Sequence, residues 1–480
     1  MKKDRVFKII YIIAFIIMIF WVGNFHEPWS DEAQSFLIAK TETIENILFK
    51  VSSQEGCFPL WVLLLKLLIN FGLTFDKIHY VSSIFVIIST IIFINNKKID
   101  EKSRYLIPLG FWVFYQYGII ARNYSILVLA FSLLLLIYDR RHEKRILYFL
   151  LLMFFSLISM HGMVISGVLA TFYFIELIPN IKKMEASDVC IYLVSYIFLF
   201  LVYLMEVLII MPKSETLVSK NIYLGIYRII FKTLIFTAAS TEKLTIFSHI
   251  NVISSGLLII LFFKVNKNVK DKSFLLLFIG VLLFHLLVRG AGHHNGVLYL
   301  VLMSGIIINI DNTNKEEMII FLLIQLMYFI ICVVSCFNDI TMNYSGAKEM
   351  AEYIKGKNIS LSDVYAIGYE TTSVQPYFEN KYLNRNKYYY EWLSTNDDHR
   401  MYSFYKTSDA DTYKYLIEIG DYKYILIQKH NIDKYVDEKE YEKIEKTNMY
   451  EKIKETDGVN FFKGNYNETE GFILYKRKEK

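Results

Sequence analysis

Long apolar runs are the feature that most restricts what this chain can fold into. Hydrophobic residues make up 54% of its 480 residues, and Phe, Tyr, Ile and Leu are concentrated in stretches. Many of these stretches approach the roughly 20 residues that an α-helix needs to cross a bilayer. Such a composition is too apolar for an ordinary soluble domain. The sequence therefore predicts a mainly α-helical, polytopic membrane protein whose immediate partners are membrane lipids.

Eleven of the runs are predicted to span the membrane, which makes a transmembrane helical bundle. They cover residues 6–25, 78–94, 105–121, 124–138, 146–160, 163–179, 189–211, 250–265, 273–288, 297–310 and 318–337. A twelfth run, residues 58–71, is predicted to lie flat or to dip in and out. Its Lys66 and Pro59 are accommodated more easily in a partly wet location than at mid-bilayer.

Basic residues in short loops predict the orientation. If the run 58–71 does not cross, four basic loops share the cytoplasmic side with the N-terminus, as the positive-inside rule requires. They contain Lys97/Lys98/Lys102/Arg104, Arg140/Arg141/Lys144/Arg145, Lys182/Lys183 and Lys264/Lys267/Lys270/Lys272. If the run crosses, those loops move outside. We therefore expect a multi-pass protein of the cytoplasmic membrane, with an uncleaved first span and a cytoplasmic N-terminus.

The composition changes near residue 338, where charged and aromatic residues replace the apolar runs. We expect a transmembrane domain over residues 1–337, with a first external loop at 26–76, and an extracytoplasmic soluble domain over 338–480. Helices are predicted at 346–357 and 409–419, and strands at 363–368, 422–428 and 471–476. This alternation predicts a small α/β domain. The net charge of +5 averages these two parts and does not point to nucleic acid.

The first external loop contains two adjacent carboxylates, Asp31 and Glu32. Ser30 is predicted to cap a helix that begins there, and the positive end of this helix favours the charged forms of both acids. Successive helical residues point about 100° apart, so the two acids are expected to play different roles. The same helix is predicted to lie along the membrane surface, with one apolar face formed by Ala33, Phe36 and Leu37. A solvated loop with no function is the alternative.

Other polar residues fall at the outer ends of spans in this topology. We expect them to share one external cavity with Asp31 and Glu32: Arg122, Tyr124, His161, Arg289, His293 and His294. Supporting positions in or near the acidic loop are His26, Glu27 and Lys66. A cavity that combines acids with cations beside the lipid places charged chemistry at the boundary between lipid and water.

Four stretches resemble motifs of the polytopic glycosyltransferases of the C-type fold, which use polyprenyl-phosphate sugars. This family includes the protein O-mannosyltransferases and the aminoarabinose transferases. The stretch 29–34 is similar to their acidic loop motif, and 55–61 is similar to their Pro-Pro-Leu-aromatic stretch, with Phe58 at the first proline. Residues 121–124 resemble their Ala-Arg-x-Tyr, and the histidine-rich stretch 289–296 is similar in position.

The resemblance implies an inverting transferase that moves a sugar from a polyprenyl-phosphate donor to an extracytoplasmic glycan, lipid or protein acceptor. Lipid phosphate is already a good leaving group, so the missing component is a base for the acceptor hydroxyl, and Asp31 is the candidate. The phosphate-binding candidates are Arg122, Tyr124, His161, Arg289, His293 and His294. Glu32 either orients one of these cations or binds a divalent metal such as Mg²⁺ or Mn²⁺. No cofactor is otherwise expected.

Each candidate has a structural alternative. Arg122 could reach lipid headgroups, and His161 could bond between helices. His293 and His294 could bind zinc with Asp31 or Glu32, although adjacent histidines lack the spacing of two ligands on one helix face. Glu206 either lines the cavity or reaches the interface, and the aromatic cluster at 388–392 either stacks on sugars or forms domain core.

Two other functions compete with the enzyme. The first is a transporter or flippase for a lipid-linked saccharide, and the second is an envelope scaffold without catalysis. A proton-coupled transporter would place its ionisable residues near mid-bilayer, whereas these cluster towards one face. The sequence therefore favours a glycosyltransferase.

Overall fold

The computed structural model describes residues 2–55, 57–210, 245–267, 269–287, 292–367, 369–378, 384–385, 422–429, 444–446, 448–462 and 465–479. Within these residues the chain is mainly helical, with a small sheet region beyond the last long helix. Helices of ten or more residues are α1 Lys2–Gly23, α2 Ser30–Thr41, α3 Leu60–Asn70, α4 His79–Asn95, α5 Tyr124–Ile137, α6 Arg145–Ile158, α7 Met160–Leu177, α8 Ala186–Ile210, α9 Ile246–Asn266, α10 Ser273–Leu287, α11 Asn295–Ile308, α12 Lys315–Thr341 and α13 Ala347–Gly356.

Six helical segments of the described chain are long and apolar enough to cross a membrane. They include α1, α7, α8, α9 and α12, together with the segment Phe75–Asn95 that contains α4. The prediction of eleven spans is therefore wrong in number. Among the other predicted spans, α5, α6 and α11 have only 14 residues each, and the described part of α10 has 15. At 1.5 Å per residue they are roughly 21–23 Å long, which is less than the bilayer core of about 30 Å.

The fifth missing span, predicted at 105–121, is broken rather than short. The helix Glu101–Leu106 gives way to a tight turn that contains Pro108, and Gly110 adopts an extended conformation. A wide π-helical turn, Phe111–Gln116, follows. Proline lacks the N–H that a continuous helix requires. Because the irregular segment is buried among other helices, its backbone groups find partners, such as the Gly118 carbonyl that accepts from the Ser83 hydroxyl at 2.9 Å.

The helix α2 lies between α3 and the segment Tyr369–Tyr377 of the C-terminal part. The apolar face predicted for it is buried, and Phe36 packs on Phe75 with ring centroids 5.3 Å apart. Phe75 in turn contacts Tyr377 at 5.3 Å. With 11 residues, α3 is roughly 16 Å long, which is about half the thickness of the bilayer core.

A charged end of the bundle lies opposite the start of α5. Lys98 pairs with Asp139 at 2.6 Å, just beyond the end of α5. Arg141 contacts Glu176 at 2.6 Å and Asp271 at 3.1 Å. These contacts join three of the four basic loops that the sequence singles out. We call this surface the basic end of the bundle.

The described residues beyond α12, here called the C-terminal region, form a five-stranded sheet and a hairpin. The sheet has the order β2-β1-β3-β7-β4, with β1 parallel to β2 and β3, and β7 antiparallel to β3 and β4. A separate hairpin pairs β5 with β6. The strands are β1 Val364–Ile367, β2 Asn384–Arg385, β3 Tyr424–Gln428, β4 Tyr450–Thr456, β5 Val459–Phe462, β6 Asn465–Glu468 and β7 Phe472–Arg477.

Both faces of this sheet are buried at β1, β3 and β7, as expected for strands that are apolar runs. Leu426 and Leu474 pack with Ala351 of α13 on one face, and Ile425 and Ile473 form a second cluster on the other. The predicted helix near 346–357 and the predicted strands near 363–368, 422–428 and 471–476 are present. The predicted helix at 409–419 and the aromatic cluster at 388–392 lie outside the described residues.

Hydrogen bonds from α12 hold the hairpin of the C-terminal region against the bundle. The Ser335 hydroxyl donates to the Phe461 carbonyl at 3.0 Å, and the Asn338 side-chain amide donates to the Val459 carbonyl at 2.9 Å. Both donors lie on the last turns of α12, which continues to Thr341. The hairpin of β5 and β6 therefore rests on the same end of the bundle as the acidic helix α2.

Candidate active site

The acidic helix begins one residue earlier than a cap at Ser30 would require. Trp29 occupies the cap position and Ser30 is the first helical residue, so the predicted capping role of Ser30 is wrong. The Glu32 carboxylate accepts the Trp29 backbone N–H at 3.1 Å instead. A carboxylate in the first turn satisfies one of the donors that every helix start leaves open.

Glu32 is fully buried and joins three segments of the chain. Its Oε1 accepts the backbone N–H of Ala121 at 2.6 Å, and its Oε2 lies 3.1 Å from Nε2 of His26. The other imidazole nitrogen of His26 is 3.0 Å from Asp339, whose second oxygen accepts from the Tyr115 hydroxyl at 2.7 Å. This chain of contacts occupies Glu32 with protein groups and leaves its carboxylate no open face.

His26 carries a positive charge at neutral pH in this arrangement. Burial alone would lower its pKa, but the Glu32 and Asp339 carboxylates on either side raise the pKa to about 10. An imidazolium between two carboxylates donates from both ring nitrogens, which matches both contacts. The group is therefore a buried ion-pair network that ties the acidic loop to the end of α12.

Asp31 faces another direction, as the 100° rotation between successive helical residues requires. Its carboxylate contacts the guanidinium of Arg122, and each side chain remains about a quarter exposed, at 25% and 23%. Arg122 directly follows Ala121, whose N–H binds Glu32. Two successive residues of each segment are thus in contact. The contact of Glu32 with Ala121 is buried, and that of Asp31 with Arg122 is partly exposed.

The predicted phosphate-binding residues lie around Tyr124, at the start of α5. Ring centroids of His293, His294 and His161 are 5.5, 5.7 and 6.2 Å from the Tyr124 ring. Asp31 and Arg122 act on Tyr124 electrostatically. The structure therefore groups these residues with the Asp31–Arg122 pair, whereas the external cavity that they are expected to share stays a prediction. Arg289 lies outside the described residues.

His285, which the sequence interpretation missed, belongs to the same group. Its Nε2 is 2.9 Å from Nε2 of His161, so one ring donates to the other. The ring of His294 is 4.8 Å from that of His161. Among the described residues, no three or more His, Cys, Asp or Glu side chains are arranged so that they could hold a metal ion.

Two of the supporting residues lie away from the Asp31–Arg122 pair. The Lys66 ammonium donates to the carbonyls of Ala39 and Glu42, at 3.2 and 2.5 Å, where α2 ends. Glu27 lines a polar cavity of about 300 Å³ with Asp339 and others, and burial raises its pKa to about 7. Lys66 thus caps the C-terminal end of α2, and Glu27 belongs to the polar cavity.

Glu206, on α8, is buried within the bundle. The Ser156 hydroxyl of α6 donates to its Oε1 at 2.8 Å. Neither predicted alternative, a cavity wall or an interfacial position, describes this contact between two helices.

The chain matches no known protein-family model, and no curated protein matches it.

Proposed function

We propose that this protein is an integral-membrane inverting glycosyltransferase that takes a sugar from a polyprenyl-phosphate donor, with Asp31 as the base. The observation that carries the proposal is the partly exposed Asp31–Arg122 pair. It lies beside Tyr124 and a group of histidines from three other parts of the chain. A carboxylate and a guanidinium that are both partly exposed, with neutral imidazoles beside them as hydrogen-bonding groups, fit a charged lipid-linked substrate.

The C-type fold is part of the proposal. Two of the stretches that resemble this family, 29–34 and 121–124, touch each other at two successive residues. Asp31 meets Arg122, and Glu32 meets Ala121. The two motifs are therefore proposed to form one site. The buried contact of Glu32 with Ala121 holds the segments together, and the Asp31–Arg122 pair is partly exposed, so that a ligand can reach it.

The proposed reaction is a single displacement. The acceptor hydroxyl attacks the anomeric carbon, Asp31 takes the hydroxyl proton, and the bond from carbon to the phosphate oxygen breaks with its electron pair on the phosphate. Arg122 and the nearby imidazoles meet the charge that develops on the leaving group. A single displacement inverts the anomeric centre.

Donor binding also explains why Asp31 and Arg122 are paired in the free protein. A planar guanidinium can bind two phosphate oxygens at once, so a donor phosphate competes with Asp31 for Arg122. The carboxylate is then released towards the acceptor. Glu32, which the sequence assigns a catalytic part, is proposed instead to hold the loop, because its oxygens are already occupied.

The proposed orientation puts this site on the extracytoplasmic side. Asp31 lies near the start of α5, whereas the basic end of the bundle lies beyond the end of that helix. Lys and Arg in short loops favour the cytoplasm. The C-terminal region contacts the site end, so it is proposed to be extracytoplasmic as well, and the acceptor is a glycan, a glycolipid or a glycoprotein.

The test measures sugar transfer by the full-length protein in lipid nanodiscs. Polyprenyl-phosphate donors carrying tritiated glucose, mannose, galactose or aminoarabinose are mixed with an envelope extract, and label leaving the donor lipid is counted, with and without EDTA. Asp31→Asn is expected to lower transfer by about 10²- to 10⁴-fold, the range of a lost general base. Glu45→Gln, an exposed acid in the same loop, is the matched control and is expected to transfer at the normal rate.

Two results would overturn the proposal. Folded Asp31→Asn protein that transfers sugar at the normal rate would remove Asp31 as the base. Wild-type protein that leaves every donor intact, but moves a fluorescent lipid-linked saccharide across the membrane of a vesicle, would establish the transporter instead.

A further inference from the structure

A carboxylate from the C-terminal region reaches the start of the acidic helix. Glu470, in the turn between β6 and β7, places its Oε1 2.6 Å from the backbone nitrogen of Ser30, which donates its N–H. Its Oε2 accepts the hydroxyl of Ser345 at 2.8 Å. Glu470 is only 2% exposed, although it lies in a turn between two strands.

The turn that carries Glu470 is held by its own region. The Gly346 N–H donates to the Glu470 carbonyl at 3.0 Å, and the Thr469 N–H donates to the Gly458 carbonyl at 2.9 Å. Residues Ser345 and Glu470 also form an isolated parallel β-bridge. The Glu470 carboxylate is therefore presented to α2 from a supported position.

The geometry constrains Asp31 from both sides. The residue before it, Ser30, is bound through its N–H by Glu470, and the residue after it, Glu32, is bound to Ala121 and His26. A helical residue whose two neighbours are fixed has little freedom in the direction of its Cα–Cβ bond. The contact with Glu470 thus bears on Asp31, the partly exposed carboxylate of the first turn.

We propose that Glu470 is a positioning residue for the Asp31 carboxylate, so that the C-terminal region completes the catalytic site. This inference rests on the proposed transferase function. The contact is a hydrogen bond to a helix N-terminus, where a carboxylate is favoured by the helix dipole. Burial raises the pKa of Glu470 to about 7. Glutamine has the same shape as glutamate, and its side-chain carbonyl oxygen can still accept the Ser30 N–H. The substitution Glu470→Gln is therefore expected to preserve the contact.

Three variants separate positioning from simple docking. Glu470→Ala removes the acceptor, Glu470→Gln keeps it, and Ser345→Ala removes the hydroxyl that steadies the second oxygen. The matched control is Ser335→Ala, which removes the hydrogen bond between α12 and the Phe461 carbonyl but does not touch α2. All are made in the full chain and assayed in nanodiscs with the tritiated donor that the wild type uses best.

The expected results differ for each variant. Glu470→Ala lowers kcat by about 10- to 100-fold, the range for a misplaced catalytic group, with the KM for the donor changed less than about threefold. Glu470→Gln restores most of kcat, Ser345→Ala gives a smaller loss than Glu470→Ala, and Ser335→Ala leaves kcat unchanged. Hydrogen exchange at the backbone amides of Ser30 and Asp31 accelerates in Glu470→Ala only.

Glu470→Ala protein with normal kcat and normal exchange in α2 would overturn the inference while leaving the proposed function intact. An equal loss of kcat in Ser335→Ala would also overturn it. Any weakening of the contact between the C-terminal region and the bundle would then explain the loss, without a specific part for Glu470. Wild-type protein without transfer would refute the proposed function, and the exchange experiment would still decide whether Glu470 holds α2.

Discussion

The buried network around Glu32 predicts a large and pH-dependent loss of stability on the substitution Glu32→Gln. The Glu32 carboxylate contacts His26 and accepts the N–H groups of Ala121 and Trp29. Glutamine keeps one acceptor oxygen but loses the charge and directs an NH₂ group at existing donors. Removing one partner of a buried ion pair costs about 3–5 kcal/mol, because the other charge stays buried and uncompensated.

The pH dependence follows from the pKa of His26, which the two carboxylates raise from 6.5 to about 10. For a base whose folded pKa is raised, the stabilisation is fully present below pH 6.5 and disappears as the pH rises through 10. The shift corresponds to about 5 kcal/mol at most, at 1.36 kcal/mol for each unit. The stability difference between wild type and Glu32→Gln is therefore greatest near pH 6 and decreases towards pH 10.

Denaturant unfolding in detergent, followed by tryptophan fluorescence between pH 6 and 10, measures this difference. Glu27→Gln is the matched control, since burial raises the pKa of Glu27 to about 7. An acid with a raised folded pKa destabilises the protein as the pH rises, so Glu27→Gln is expected to be neutral or stabilising at pH 8. A Glu32→Gln protein within about 1 kcal/mol of wild type at pH 6, or a loss independent of pH, would refute the reasoning.

Three further substitutions test separate contacts. Arg122→Lys loses the planar fork for phosphate, so steady-state kinetics should show the KM for the polyprenyl-phosphate donor rising by about tenfold. Lys66→Met removes the donor to the carbonyl of Glu42 at the end of α2 and should lower the free energy of unfolding by about 1–3 kcal/mol, measured by denaturant titration. Gly296→Ala places a Cβ against the Tyr117 hydroxyl, which is held by the His293 carbonyl, and should cost about 1–3 kcal/mol in the same assay.

Each of these has a result that would contradict it. An unchanged KM in Arg122→Lys would show that Arg122 does not bind the phosphate. Lys50→Met, at a half-buried position of the same loop, is the control for loss of a lysine charge, and a Lys66→Met protein as stable as this control would show that Lys66 does not stabilise the end of α2. A fully stable Gly296→Ala protein would show that Tyr117 can move aside.

The meeting of Asp31 with Arg122 could be predicted because of where apolar runs end. Charged residues between apolar runs lie at the ends of the resulting helices, so the order of the runs groups these residues even though five of the eleven predicted spans are wrong. The same logic placed Tyr124, His161 and His294 near the pair. Hydropathy and charge alone were sufficient for this coarse grouping.

The roles of individual side chains could not be predicted in this way. Glu32 and Asp31 are adjacent in sequence, and only the positions of Ala121 and His26 reveal which of the two acids is buried. The break at Pro108 and Gly110 is hidden within an apolar run, since hydropathy does not register backbone conformation. Glu470 is separated from Ser30 by 440 residues, and no local pattern signals a contact of that separation.

The sequence overestimates the number of membrane spans for a related reason. Every residue of α11 from Asn295 to Met303 is buried within the protein, so this helix is apolar because it is surrounded by other helices. A helix at the centre of a bundle has the same composition as one that faces lipid. Periodicity cannot distinguish the two, and only length does.

The contact between Ser30 and Glu470 also sets an order of events during biosynthesis. At about 5–20 residues per second, the ribosome adds residue 470 roughly 20–90 seconds after residue 30. During that interval the N-terminus of α2 has been made but lacks its distant acceptor. In a nascent or prematurely terminated chain the Ser30 N–H therefore lacks the Glu470 carboxylate. Under the proposed function, the catalytic site would be complete only after the last strands are made.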